Sequence, residues 1–175
     1  MTPCRLSFFA FCLAVGQATA SAAGGFGIDI SEDVVYCDAQ WNGDVQALAQ
    51  ALEAGIEISL HWEIGVSRVR RYWLDKDIAE IEFDRRVRPD LLTRNWMLED
   101  SASGISWYTA SLSEAVAFLT RIDHFPVLDR SLLAPGELYI LRISIDKLES
   151  GMDDSWWSRF WKQSSLQMQQ EFSLP

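Results

Sequence analysis

In IEISLHWEIGV, residues 56–66, every second side chain is apolar, and no other stretch constrains the fold as tightly. A helical turn would scatter these side chains around an axis. A strand of period two puts Ile56, Ile58, Leu60, Trp62, Ile64 and Val66 on one face and Glu57, Ser59, His61, Glu63 and Gly65 on the other. Such a strand has one side in a core and one in water, the signature of an antiparallel sheet. The pattern recurs in IAEIEFDRRVR, with Ala79, Ile81, Phe83 and Val87 inward against Glu80, Glu82, Asp84, Arg86 and Arg88. It recurs again in VVYCDAQW, where Val35, Cys37, Ala39 and Trp41 share a face, in Leu91 to Glu99, and in Ile105 to Thr109. In ELYILRISID, Tyr139, Leu141, Ile143 and Ile145 align after a Pro135-Gly136 turn.

Two segments change to helical spacing. Asp44 is placed to cap a helix whose apolar stripe is Val45, Leu48, Ala49 and Leu52, with Gly55 as its stop. Ser111 and Glu114 have capping-box spacing ahead of a stripe of Ala115, Phe118, Leu119 and Ile122, and Pro126 is expected to end that helix, with His124 capping carbonyls there. The order β-β-α-β-β-β-β-α-β lacks regular βαβ alternation. It implies an α+β domain built on a mainly antiparallel sheet, or a sandwich-like variant of one, covered by two amphipathic helices. Near the end, DDSWWSRFWK places Trp157, Phe160 and Trp161 along one side of a short aromatic helix, and Leu166, Met168, Phe172 and Leu174 alternate in a closing strand.

The first residues have one positive charge, Arg5, an apolar run from Leu6 to Val15, and small residues through Ala22. That is the layout of a cleaved signal peptide, residues 1–22, and the run is shorter than the ~20 apolar residues a spanning helix takes. The expected mature chain, residues 23–175, is a single domain exported to the periplasm. It retains 14 Lys and Arg against 25 Asp and Glu, so no nucleic-acid partner is expected. Cys4 and Cys12 leave with the signal, so no intrachain disulfide is expected, and Cys37 reads as a buried free thiol.

No sequence element points to catalysis or to a cofactor. His61, Glu63 and Glu57 share a polar strand face but lack the ligand spacing of a zinc site, so no metal is expected either. Eight basic residues lie between Arg68 and Arg94 against six acids. Within them Arg68, Arg70, Arg71, Tyr72, Trp73 and Lys76 form a basic, aromatic hairpin connection. One reading pairs these cations with nearby acids across strands; the other makes them a contact surface for anionic lipid or an acidic partner. A weaker candidate is Trp156, Trp157, Phe160 and Trp161. These aromatics are expected to lid the core, with a membrane surface or a partner patch as the other readings.

The run from Asp44 to Leu98, followed by SLSEAVAFLTRIDHFPV and ELYILRISID, resembles an exported family of Gram-negative bacteria, domain of unknown function 4390. The resemblance rests on A-L-x-x-G at Ala51 to Gly55, the arginine-rich stretch Arg68 to Asp75, L-T-R-x-W at Leu92 to Trp96, and S-L-x-E-A at Ser111 to Ala115. It spans about Asp29 to Asp146, and the chain departs from it at Pro89 and in the closing tail. The resemblance implies export, no enzyme activity, no cofactor, and genes that neighbour a membrane sensor kinase of the nitrogen-regulation type. The function expected is a non-catalytic interaction or accessory module of the cell envelope with a membrane-protein partner. The alternative is a periplasmic small-ligand-binding protein with a pocket between sheet and helices; a divergent envelope enzyme is a distant third.

Overall fold

The alternating segment becomes β3 (Ile58–Arg68), the central strand of the larger of two sheets. Its inward residues Leu60, Trp62, Ile64 and Val66 are at most 1% exposed, so the period-two pattern is realised residue by residue. The computed structural model describes residues 25–31, 33–41, 43–147 and 166–174. The expected signal segment, the cluster Trp156, Trp157, Phe160 and Trp161, and the short helix expected there lie outside the described residues.

The elements in chain order are β1 (Phe26–Ile30), β2 (Val34–Gln40), α1 (Val45–Glu53), β3, β4 (Lys76–Asp90), β5 (Asn95–Asp100), β6 (Ile105–Thr109), α2 (Leu112–Thr120), β7 (Arg121–Asp129), a 3-10 turn (Arg130–Leu132), β8 (Leu138–Lys147) and β9 (Leu166–Ser173). Among the described residues every pairing is antiparallel. The sheets run β1-β2-β7 and β6-β5-β4-β3-β8-β9. The expected closing strand is therefore present, as the β9 edge on β8. Buried residues of both sheets and both helices belong to one core cluster, and Phe125 of β7 stacks on Phe83 of β4 with ring centres 4.8 Å apart. Full burial of each large apolar side chain contributes roughly 1.5–3 kcal/mol, so this cluster is the main source of stability.

Local chemistry sets the helix ends. Asp44 accepts from the Ala47 amide at 2.9 Å, and Gly55, at φ +83°, ends α1 in a conformation an L side chain disfavours. Ser111 accepts from the Glu114 amide at 3.3 Å, but Glu114 does not complete a capping box. Its carboxylate takes the Thr109 hydroxyl at 2.6 Å, and Thr109 Oγ1 accepts the Ser111 amide instead.

Other sequence expectations are also corrected. Val45, assigned to the apolar stripe of α1, is 40% exposed, and Ala51 takes a buried place beside Leu48 and Leu52. The second helix does not run to Pro126: it stops at Thr120, and Arg121–Asp129 is strand β7, with Pro126 opposite Tyr36. Two register shifts against β2 break the alternation there, which hides the strand from a period-two search. His124 consequently caps no helix; it sits at φ +48°, donates its amide to Asp38 at 2.7 Å and stacks on Tyr36. Finally, Leu91 to Arg94 is a turn and the strand begins at Asn95, leaving Leu91 and Leu92 exposed. Pro89 stays within β4, opposite Trp96, beyond the point where β3 ends opposite Val87, so it needs a ladder partner on one side only.

Candidate functional site

The basic stretch divides along β4 into two halves with opposite fates. In the half far from the β3–β4 turn, cations are paired. Arg86 lies 3.4 Å from Glu57 and 3.6 Å from Glu99, and Arg88 donates to Glu57 at 3.0 Å, a bond that, ahead of simple charge attraction, holds its guanidinium above the ordinary arginine value. Arg85 points to the core face, opposite Leu60. It donates to the carbonyls of Phe118 (2.8 Å) and Arg121 (2.5 Å) at the end of α2 and stacks over the Phe118 ring. Its Nε is 3.5 Å from Asp100, an ion-pair contact that falls short of a hydrogen bond. Burial lowers its pKa despite that neighbour.

The other half is the connection from Val69 to Asp75. Val69 donates to the Leu138 carbonyl at 2.9 Å, and Arg70 donates its amide to Asp75 at 3.3 Å. Asp75 is in turn approached by Arg142 at 3.4 Å. Beyond these anchors the tip stands clear of the body: Tyr72, Trp73 and Leu74 are 86%, 80% and 92% exposed. Arg68 and Lys76 face each other across the last rung, and neither they nor Arg70 and Arg71 form an ion pair with a described residue. The structure thus brings together all six tip residues picked out from the sequence, and adds Leu74, whose signal was its place in the turn, outside any alternating face. Cross-strand pairing with acids holds for Arg85, Arg86 and Arg88 and fails at the tip.

The polar face of the six-stranded sheet is mostly committed to local pairs. His61 bonds Asp84 at 2.7 Å, Glu63 accepts from Ser144 at 2.9 Å, and Glu57 serves Arg86 and Arg88, so His61, Glu63 and Glu57 do not converge. Among the described residues no three His, Cys, Asp or Glu side chains are grouped to hold a metal ion. The same face carries a groove of about 500 Å³ whose walls come from β3, β4, β8 and β9. The sequence reading missed it, because its walls come from four strands and its floor from a missing side chain, Gly65. The space between sheet and helices, where a ligand pocket was the alternative expectation, holds Leu48, Leu52, Leu60, Trp62 and Leu119, all at most 1% exposed. Cys37 is fully buried, its pKa pushed up to about 12 by burial and then by the charge of Asp38.

A family model described as a domain of unknown function, DUF4390, matches residues 23–150. The chain belongs to that family. No curated protein and no solved structure matches it. The DUF4390 span contains the whole hairpin tip and three of the four groove strands, and it ends before β9.

Proposed function

We propose that this DUF4390 protein is an exported, non-catalytic interaction module of the cell envelope that docks on an acidic face of a membrane protein through the β3–β4 tip. One observation carries the reading. Four cations without an acid partner among the described residues surround three consecutive exposed apolar side chains, while the cations further along the same strand are paired. Arg, Tyr and Trp are favoured interface anchors, and unpaired cations find counter-charge in a partner. A net charge of −10 on the whole chain repels acidic partners everywhere else and orients the tip toward them. The leader of residues 1–22 supports export, and the link to a membrane sensor kinase rests on the family resemblance. We also read the two sheets sharing one core as a sandwich-like arrangement.

The test is crosslinking and affinity capture from envelope extracts with wild type and with Arg70→Ala/Arg71→Ala/Trp73→Ala. Because these side chains touch little of the body, the triple variant keeps its melting temperature within about 2 °C, in line with surface substitutions. The expected result is a membrane protein crosslinked by wild type and lost in the variant. Equal capture by both refutes the docking surface, and flotation with protein-free anionic vesicles assigns the tip to lipid instead.

A further inference from the structure

Gly65 lies in the middle of the polar face of β3, opposite Glu80 on β4 and Arg142 on β8, and Gln169 of β9 is the next residue in the same row. No described residue lies within 4 Å of where its Cβ would be, and this missing side chain makes the floor of the groove. A glycine inside a central strand marks a bulge, a bend or room for a close approach to the backbone; the register shift here falls between Val66 and Ser67, and Gly65 itself faces open space. Around that floor stand Glu63, Asp77 and Glu80, and the guanidinium of Arg142 is already turned toward Asp75. Glu80 and Asp77 form no ion pair with a described residue. The groove is therefore negative in field and short of counter-charge.

A second, independent observation comes from Ser67. It is 2% exposed, it lines the groove two residues beyond Gly65 on the same strand face, and its hydroxyl has no hydrogen-bond partner among the described residues. A buried hydroxyl without a partner carries a desolvation cost, and no described residue offsets it. An incoming donor would satisfy it. The carboxamides of Gln167 and Gln169 add acceptors on the β9 wall.

We infer that this groove binds a small organic cation carrying primary ammonium groups. The carboxylates are spread around the rim rather than gathered into a metal-ligating set. A dispersed ring of carboxylate, carboxamide and hydroxyl acceptors suits the several N–H donors of ammonium groups better than the compact shell of a metal ion. The volume, about 500 Å³, lies in the range of roughly 300–1,000 Å³ used for small molecules. The inference does not depend on the hairpin tip.

Calorimetric titration of the purified protein with spermidine tests it, using wild type, Gly65→Val, Glu80→Gln and the tip triple variant. Gly65→Val adds to the floor a Cβ with no described atom within 4 Å and a residue that strands favour, so it folds; Glu80→Gln removes one rim charge at constant shape. Expected are saturable binding near one equivalent, a loss of roughly tenfold in affinity for Glu80→Gln, and abolition in Gly65→Val. The tip variant binds as wild type does, which separates this site from the docking surface. Absence of saturable binding overturns the inference. So does equal binding by Gly65→Val, or displacement by magnesium at matched charge, because either marks diffuse attraction to an acidic protein.

Discussion

Replacing Arg85 with methionine tests how the core face tolerates a charge. The substitution keeps an unbranched apolar side chain and deletes the guanidinium, with its bonds to the Phe118 and Arg121 carbonyls, its stacking over the Phe118 ring and its 3.5 Å approach to Asp100. Each hydrogen bond from a charged donor is worth about 1.5–3 kcal/mol, offset in part by the relief of the burial that depresses the Arg85 pKa. Asp100 is left 13% exposed with the Ala102 amide as its remaining bond, and breaking a buried pair from one side costs about 3–5 kcal/mol. The net expectation is about 4 kcal/mol, a large part of the ~5–15 kcal/mol of a typical domain. With a urea slope of about 2 kcal/mol/M, the midpoint falls by about 2 M. Urea denaturation of wild type, Arg85→Met and Arg85→Met/Asp100→Asn measures it, and the double variant recovers about 1–2 kcal/mol because the stranded carboxylate is gone. A midpoint shift below about 0.5 M, or a double variant no better than the single, refutes the account.

Cys37, with its pKa pushed up to about 12, is expected to react with a thiol reagent at pH 8 on the order of a thousandfold more slowly than a free cysteine, and to label fully in urea. Stoichiometric labelling of the native protein within minutes contradicts that burial. Asp90 and Asp129 both sit below the ordinary carboxylate range, the first through the Thr93 side chain and then the Thr93 and Leu92 amides, the second through the Ser131 side chain and then its amide. A depressed folded pKa means that both turns gain stability above the ordinary value of about 4, and lose it as pH falls through the folded value. Carboxyl NMR titration should place both midpoints below that of a model peptide, and equality with it would remove the two caps.

The elements most legible in the sequence are those whose ladders run without interruption. β3 and β8 pair through nine consecutive rungs, so alternation in the sequence maps directly onto burial. β7 fails that condition at two register shifts, and its Ile122, Val127 and Leu128 are buried at intervals that suggest neither strand nor helix. Arg85 shows the complementary limit. Its inward position follows from alternation with Phe83 and Val87, but the compensation that makes an inward arginine tolerable comes from Phe118 and Arg121, more than 30 positions away. The tip was legible because its chemistry is contiguous. The groove was not, since Gly65, Glu80, Arg142 and Gln169 meet only through strand pairing.

Charge along the β3–β4 hairpin is segregated in a way that self-pairing alone does not explain. The far rungs neutralise themselves through His61–Asp84 and the Arg86 and Arg88 bridges. The middle rung sets Glu63 directly across from Glu82, a like-charged pair that costs stability on a sheet surface, and the next places Glu80 opposite a glycine. Immediately beyond lie the tip cations, yet the one bridge across the boundary among the described residues is Arg142 to Asp75. The tip is an exposed turn beyond the Arg68–Lys76 rung, while the groove carboxylates stand on the strands themselves, with Asp77 on the adjoining rung. Each is left with uncompensated charge at a surface point where the fold also leaves room, apolar at the tip and hollow at Gly65, and that pairing of free charge with free space is what a recognition surface requires.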